Sequence, residues 1–291
     1  MKRIRKAIDA RVADLTGRRQ SVIDYARPAN DPGLFGPGSA VWRVHGDFTA
    51  MLCGGIGALL LQMLHPLALA GVWDHSNFRA DMLGRLRRTS QFIAVTTYAS
   101  STDALAAIER VKRIHLGVEG TAPDGRHYSA SDPELLTWVH VAETSCFLAA
   151  HLRYRDPALP PQVQDRYYAE SARIALALGA RQVPASRVEV EEYLRRMRAE
   201  LVCDDRTREV ARLLLAAGAD DLLTKHFGRL FKRAGLDLLP DWATAQLGLR
   251  LGFVQRQAVR TSVRTLAPLI RYSVRGTASE RARQRMKDAS H

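Results

Sequence analysis

A stretch of 26 residues without Asp, Glu, Lys or Arg runs from 48 to 73 and reads FTAMLCGGIGALLLQMLHPLALAGVW. Apolar chain of that length is sufficient to span a bilayer. Gln62, His65 and Pro66 lie near its middle, however, four glycines interrupt it, and the sequence has no second comparable segment. We therefore predict a buried central helix that breaks near Pro66, and no transmembrane span. The glycines would let a flat cofactor or another helix approach closely.

The remainder of the chain predicts helices rather than strands. Ala, Leu, Arg and Glu recur with a period of about 3.6 residues, and alternating β-branched runs are nearly absent. We predict an all-α fold, a multi-helix globular bundle around the central apolar helix. Pro and Gly over 27–39 divide an N-terminal amphipathic helix, 1–26, from a single helical domain, 27–275, which is followed by a basic C-terminal tail, 276–291.

The net charge of +13, from 43 basic and 30 acidic residues, raises nucleic acid, an anionic membrane or an anionic ligand as partners. The arginines are scattered over nearly every predicted helix, and only the tail is a concentrated basic run. This distribution is typical of a solvated surface. We therefore expect no specific nucleic-acid partner.

Three cysteines, Cys53, Cys146 and Cys203, lie far apart without a C-x-x-C pair. That spacing fits neither a disulfide framework nor a zinc knuckle. The N-terminus is basic and has no continuous apolar region of the kind found in signal peptides. We predict a reducing, cytoplasmic location.

Two further predicted helices carry histidines. The first begins near 101–103, and the spacing of its apolar residues places His115 on its inward face, with Ala104, Ile108, Val111 and Val118. The second starts with Asp132 as N-cap and Pro133 at its first position and runs to about Tyr154. Within it we expect His140 to pair with Glu143, one turn away.

The common enzyme motifs are absent from the sequence. It has no G-x-S-x-G, Walker A loop, H-E-x-x-H or G-x-G-x-x-G, and instead of the Glu-x-x-His pairs of a di-iron bundle it offers only His140-Val-Ala-Glu143, in reverse order. Histidines on apolar helix faces are compatible with a b-type haem, although such a histidine is more often part of an ordinary core. From the residues alone, haem stays a minority hypothesis.

Five blocks between Leu34 and Tyr154 resemble, in order and spacing, the family of the oxygenase MpaB and the latex-clearing proteins. The blocks are LFGPGSAVWRVHGD (34–47), LLLQMLHPLALAGVWDHSNFR (59–79), RLRRT (85–89), VKRIH (111–115) and DGRHYSASDPELLTWVH (124–140). The resemblance implies a helical protein with an internal pocket for haem b, in which O2 is activated beside an organic substrate. Some members of this family cleave carbon–carbon double bonds.

The resemblance also implies roles for individual residues. His115 matches the proximal iron ligand, and Arg85 and Thr89 match residues that line the distal face or contact the haem. Rubber-cleaving members place a Lys where this chain has Arg88, a poor metal ligand that we expect to leave the sixth position open or to donate a hydrogen bond to O2. Tyr128 is expected near the haem edge.

His65 and His75 also lie in the matching blocks, and the chain departs from the pattern of the rubber-cleaving members at one further position. His65 either reaches the distal pocket or hydrogen-bonds a carbonyl freed by Pro66, and we favour the structural role. His75 is expected in a cap or turn. Rubber-cleaving members carry a distal Glu on the helix before the segment that matches RLRRT (85–89). The corresponding residues 62–73 of this chain contain no carboxylate. Polyisoprene is therefore not the expected substrate.

We predict a haem b-dependent oxidoreductase that activates O2 or peroxide beside a small apolar organic substrate, with an electron donor that the sequence does not indicate. Two alternatives stay open. One is a non-catalytic haem protein for sensing or carriage, and the other is a basic helical protein that binds nucleic acid or an anionic membrane. The C-terminal half, with Trp242 and LGLRLGFV, is expected to complete the bundle and to offer a face for a homodimer.

Overall fold

The computed structural model describes residues 2–18, 22–218 and 222–287. These residues form fourteen α-helices and one antiparallel sheet of two strands, so the prediction of an all-α globular fold is confirmed. In chain order the elements are α1 (Lys2–Thr16), α2 (Ala40–His45), α3 (Phe48–Gln62), α4 (Pro66–His75), α5 (Met82–Tyr98), α6 (Ser101–His115), β1 (Glu119–Thr121), β2 (His127–Ser129), α7 (Pro133–Tyr154), α8 (Pro161–Leu178), α9 (Arg187–Met197), α10 (Asp205–Ala216), α11 (Leu222–Leu238), α12 (Asp241–Gln246), α13 (Phe253–Ser273) and α14 (Ala278–Lys287).

The charge-free segment forms α3 and α4, which meet at an angle of 103°. Asp47 begins α3 by accepting a hydrogen bond from the backbone N–H of Ala50, and Pro66 takes the first position of α4, where its missing N–H costs nothing. No single helix among the described residues is both long and apolar enough to cross a membrane, although this bent pair has the composition to do so. The predicted break near Pro66 is present.

Helix α3 lies at the centre of the molecule and packs along α7 and α11. Two of its glycines make this close approach possible. A Cβ atom at Gly54 would lie 2.9 Å from Cδ1 of Phe147 on α7, and one at Gly57 would lie 3.0 Å from the carbonyl oxygen of Gly235 on α11. The small residues of the central helix therefore admit neighbouring helices.

Helices α6 and α7 lie close to where the sequence places them. The Asp132 side chain caps α7 by accepting hydrogen bonds from the N–H groups of Glu134 and Leu135. On α6, Ala104 and Ile108 are buried, while Val111 and His115 are half-buried on the same side of the helix. His115 is the last residue of α6, so Val118, the fifth residue of the predicted face, follows the helix.

The two ends of the described chain pack against the body. Helix α1 ends at Thr16, well before residue 26, and lies against α5 and α13. Helix α14 occupies most of the segment that its composition predicts to be a basic tail, and residues 288–291 lie outside the described residues. Arg285 on α14 is completely buried, because its guanidinium group donates hydrogen bonds to the carbonyl oxygens of Tyr25 and Ala99.

A buried carboxylate connects the C-terminal helices to α7. The Asp237 side chain, at the end of α11, is fully buried and forms ion pairs with Arg153 of α7 at 2.9 Å and with Arg260 of α13 at 2.8 Å. Arg256 lies 3.9 Å away. Burial of an ionised carboxylate is costly unless cations pair with it in this way.

Candidate functional site

A cavity of about 280 Å³ lies inside the bundle, between α1, α2, α3, α5, α7 and residues 274–281. Its wall is mostly apolar, because the charge-free helix α3 forms one side and the inward face of α5 forms another. The aliphatic and aromatic side chains that line it include Met51, Leu52 and Leu59 of α3, Leu86 and Ile93 of α5, and Phe147 of α7. Concave apolar pockets with a few polar groups are the usual form of small-molecule sites.

Glu143 of α7 contributes a carboxyl group to this wall. Burial raises its pKa to about 7, although a hydrogen bond with the Gln62 side chain partly offsets that effect. Near neutral pH the carboxyl group is therefore present in both protonation states. A group of this kind can accept or release a proton at the pH at which most enzymes operate.

The predicted pairing of His140 with Glu143 is not present. The Nε2 atom of His140 is buried and has no hydrogen-bond partner among the described residues. Burial lowers the pKa of His140 to about 4, so the imidazole is neutral and attracts the carboxylate only weakly. Glu143 is thus an acid of the cavity rather than half of an ion pair.

His45, at the end of α2, also lines the cavity, although it is not among the site residues predicted from the sequence. Its Nδ1 atom lies 3.0 Å from Oγ1 of Thr97, and its Nε2 atom lies 3.0 Å from the hydroxyl oxygen of Tyr167. Burial, reinforced by the nearby His151 and His140, lowers the pKa of His45 to about 3. The neutral ring thus joins α2 to α5 and α8.

Of the residues that the family resemblance singles out on α5, Thr89 lines the cavity and the two arginines do not. The Thr89 hydroxyl donates to the carbonyl oxygen of Arg85, 3.2 Å away on its own helix. Arg85 is half-buried and donates a hydrogen bond of 2.8 Å to Oγ of Ser76, and burial lowers its pKa, with a smaller effect from Arg88. The exposed Arg88 side chain pairs with Asp81 at 3.5 Å.

His115 lies half-buried at the end of α6 and is not among the residues that line this cavity. Its Nδ1 atom is buried and has no hydrogen-bond partner in the described part of the chain. Burial also lowers the pKa of its imidazole. The ring is therefore neutral near pH 7, the form in which an imidazole nitrogen can bind a metal.

The other two residues of the predicted site, His65 and Tyr128, form hydrogen bonds with other residues of the chain. His65 caps α4, because its Nδ1 atom accepts a hydrogen bond of 3.3 Å from the N–H of Leu67. The ring of His65 lies 5.9 Å from that of Trp138, between centroids. The Tyr128 hydroxyl donates to Oδ2 of Asp74 at 2.6 Å, and its pKa is raised to about 12, mainly by burial. Neither side chain lines the cavity.

His75, in the second of the matching blocks, is the last residue of α4. Its Nε2 atom lies 3.1 Å from the carbonyl oxygen of Glu119 at the start of β1. It therefore connects the end of a helix to the small sheet, in keeping with the expected position in a cap or turn.

Comparison with known families gives one match. A family model described as ER-bound oxygenase mpaB/B'/Rubber oxygenase, catalytic domain, matches residues 42–285. No curated protein and no solved structure matches the chain. The matched range includes α3 to α13 and nearly all of α14, so it contains each residue of the candidate site named above. The part of the cavity wall formed by α1, Arg18, Ile23 and Tyr25 lies before the matched range.

Proposed function

Because the chain belongs to the family of MpaB and rubber oxygenase catalytic domains, we propose that it is a haem b-dependent oxygenase that activates O2 or peroxide beside a small apolar organic substrate. Membership of a family of oxygenases supports an enzyme whose reactants are O2 and an organic molecule. The apolar cavity with Glu143 in its wall carries the substrate part of the proposal, because it can hold an apolar molecule next to an acid–base group. The haem part depends on His115, which lies outside the residues that line this cavity.

His115 fits the role of the iron ligand. Its imidazole is half-buried and neutral, and a nitrogen of the ring has no partner among the described residues. The described residues contain no group of three or more His, Cys, Asp or Glu side chains arranged to bind a metal ion by themselves. Haem iron needs fewer ligands from the protein, because the macrocycle provides four ligands and a single histidine can complete the attachment.

Arg85 fits a position near the propionates of a haem. It is a half-buried guanidinium group whose side-chain hydrogen bond goes to the neutral Ser76 hydroxyl. Within the described part of the chain, no carboxylate pairs with it. A buried cation without a counter-ion is costly. An anionic group of a bound cofactor would relieve that cost.

The protein contributes binding, orientation and proton transfer, while bound haem would supply the redox chemistry of oxygen activation. The apolar side chains of α3 and α5 hold the substrate and exclude water. Glu143 exchanges a proton at its carboxyl group. Arg88 has no part in this proposal, since its side chain is exposed and paired with Asp81.

An absorption spectrum of the purified protein, as isolated and after reduction with dithionite, tests the proposal. We expect a Soret band that shifts on reduction and that is lost or weakened in His115→Ala. His127→Ala is the matched control, because His127 is exposed on β2. A protein that is colourless and takes up no added haemin would contradict the haem assignment, and an unchanged spectrum in His115→Ala would contradict the choice of ligand.

We also propose that the protein works in the reducing environment of the cytoplasm. All three cysteines are free, with Cys53 and Cys146 buried and Cys203 half-buried. Free thiols of this kind are usual where disulfides do not form.

A further inference from the structure

The charged residues that line the cavity, among those the structure describes, are three arginines and one glutamate. They are Arg18, Arg87, Arg281 and Glu143. The arginines belong to the ends of the chain and to α5, and the exposed Gly276 and Arg281 mark this side as the one that faces solvent. Glu143 lies on α7 in the interior. The cavity is therefore cationic toward its entrance.

Two of these arginines already have carboxylate partners. Arg18 pairs with Asp9 at 2.7 Å, and Arg281 pairs with Asp24 at 2.7 Å. Both pairs hold the segments around the entrance together. Their charges are largely compensated within the protein.

Arg87 differs from them. It is half-buried, and its Nε atom donates a hydrogen bond of 2.8 Å to the backbone carbonyl oxygen of Asp14 on α1. That bond fixes the guanidinium group at the cavity wall. Among the described residues no carboxylate forms an ion pair with it, and its two terminal nitrogens have no hydrogen-bond partner there. A planar pair of N–H donors matches a carboxylate or phosphate group.

From this arrangement we infer that the substrate is an amphipathic anion, an apolar chain that ends in a carboxylate or similar group, with the anionic end bound by Arg87 and the chain enclosed by α3 and α5. The charges of the cavity determine the orientation of the bound substrate. An ionised Glu143 repels an anionic group from the inner end, and the apolar walls exclude an anionic group from the middle of the cavity. The net charge of +13 also attracts anions to the protein. This inference rests on the proposed function, since it assigns a substrate class to the same cavity.

Titration calorimetry on the purified full chain with decanoate and with decanol tests the inference. We expect decanoate to bind, and Arg87→Gln to weaken its binding at least about tenfold, because a charged hydrogen bond contributes free energy of that order. Decanol, which has the same chain and no charge, should bind Arg87→Gln as it binds the unmodified protein. Arg87→Lys keeps the charge and should retain part of the affinity for decanoate.

Two further variants serve as controls. Arg110→Gln removes an exposed arginine on α6 and should leave decanoate binding unchanged. Leu59→Trp fills the apolar part of the cavity and should weaken the binding of both ligands. Circular dichroism establishes that each variant is folded.

The inference is overturned if decanoate does not bind, if Arg87→Gln weakens decanoate and decanol equally, or if Leu59→Trp has no effect. A fourth result would also overturn it: loss of haem absorbance in Arg87→Gln with unchanged decanoate affinity, since Arg87 would then bind a haem propionate. Haem content is read from absorbance and ligand binding from heat, so the substrate class and the haem proposal can fail independently.

Discussion

Arg260 donates two hydrogen bonds to the carboxylate of Asp237, at 2.8 Å from Nε to Oδ2 and at 3.0 Å from Nη2 to Oδ1. Such paired, charge-assisted bonds are among the strongest polar contacts in proteins. Arg153 of α7 donates to the same carboxylate. Asp237 thus joins α7, α11 and α13 through one buried group.

We expect Asp237→Ala to lower the free energy of unfolding by about 3 kcal/mol, because it leaves two arginines without a counter-ion. This loss is at the lower end of the range for breaking a buried ion pair, because the side chains of Arg153 and Arg260 are partly exposed. Urea denaturation measures the effect. Asp205→Ala is the control: Asp205 pairs with Arg208 at 2.8 Å but is fully exposed, and should change stability by no more than about 0.5 kcal/mol. Equal effects of the two changes would contradict the central role of Asp237.

Glu143 makes stability depend on pH. Its pKa rises from 4.5 in the unfolded chain to about 7 in the folded protein. The folded state therefore binds more protons between these values, so this contribution to stability is complete below the unfolded pKa and is lost as the pH rises through about 7.

Between about pH 5 and about pH 8, Glu143 alone should lower the free energy of unfolding by about 2 kcal/mol. Glu143→Gln should remove that part of the slope, as measured by urea denaturation at both pH values. Glu191→Gln, at an exposed position on α9, should leave the slope unchanged. If the Glu143→Gln protein kept the original pH dependence, the carboxyl group would have an ordinary pKa.

The packing of α3 against α7 depends on Gly54. Gly54→Ala places a methyl group 2.9 Å from Cδ1 of Phe147 and 3.0 Å from the carbonyl oxygen of Cys146, so we expect a loss of about 1–3 kcal/mol in the free energy of unfolding. Gly55→Ala is a matched control, because its nearest contact, with Phe147, is at 3.9 Å. That change should be neutral or stabilise the helix by up to about 1 kcal/mol. Thermal unfolding of both variants distinguishes the steric cost at Gly54 from the gain in helix propensity, which both substitutions share.

Arg285 holds α14 on the body of the protein. Arg285→Ala leaves the carbonyl groups of Tyr25 and Ala99 without these donors, and we expect it to destabilise the protein by about 1–3 kcal/mol. Arg283→Ala removes an exposed residue of the same helix and should change stability little. Limited proteolysis provides a second measurement, since cleavage near 274–281 should accelerate only in Arg285→Ala.

Local signals in the sequence were sufficient for much of the fold. Asp132 followed by Pro133 predicts the start of α7, and Pro66 predicts the break between α3 and α4, because caps and prolines act through the backbone of their immediate neighbours. The inward face of α6 follows from helical periodicity. These features need no knowledge of the tertiary structure.

The candidate site was predicted less completely, because it depends on contacts between distant segments. The spacing of His140 and Glu143 predicts a pair, whereas α7 turns Glu143 toward the cavity. A signal was available: Glu143 is the one Asp, Glu, Lys or Arg between 135 and 150, and a solitary carboxylate in an apolar helix suggests a function. His45 offered no such signal, since its partners Thr97 and Tyr167 are remote in the sequence.

The basic segment from residue 276 shows a third difficulty. Its composition resembles that of a solvated tail, yet α14 packs on α5 and Arg285 is buried. Burial of an arginine depends on acceptors elsewhere in the chain, here the carbonyl oxygens of Tyr25 and Ala99. The composition of the segment gives no information about these acceptors.

The cavity wall combines residues near both ends of the described chain, Val12 and Thr16 of α1 with Gly276 and Thr277. As the ribosome makes the protein, the compartment therefore stays open on one side until residues 274–281 have emerged. Helices α3, α5 and α7 can assemble earlier, around an interior that is still accessible. A guest molecule can therefore reach the interior until residues 274–281 have packed against the other helices.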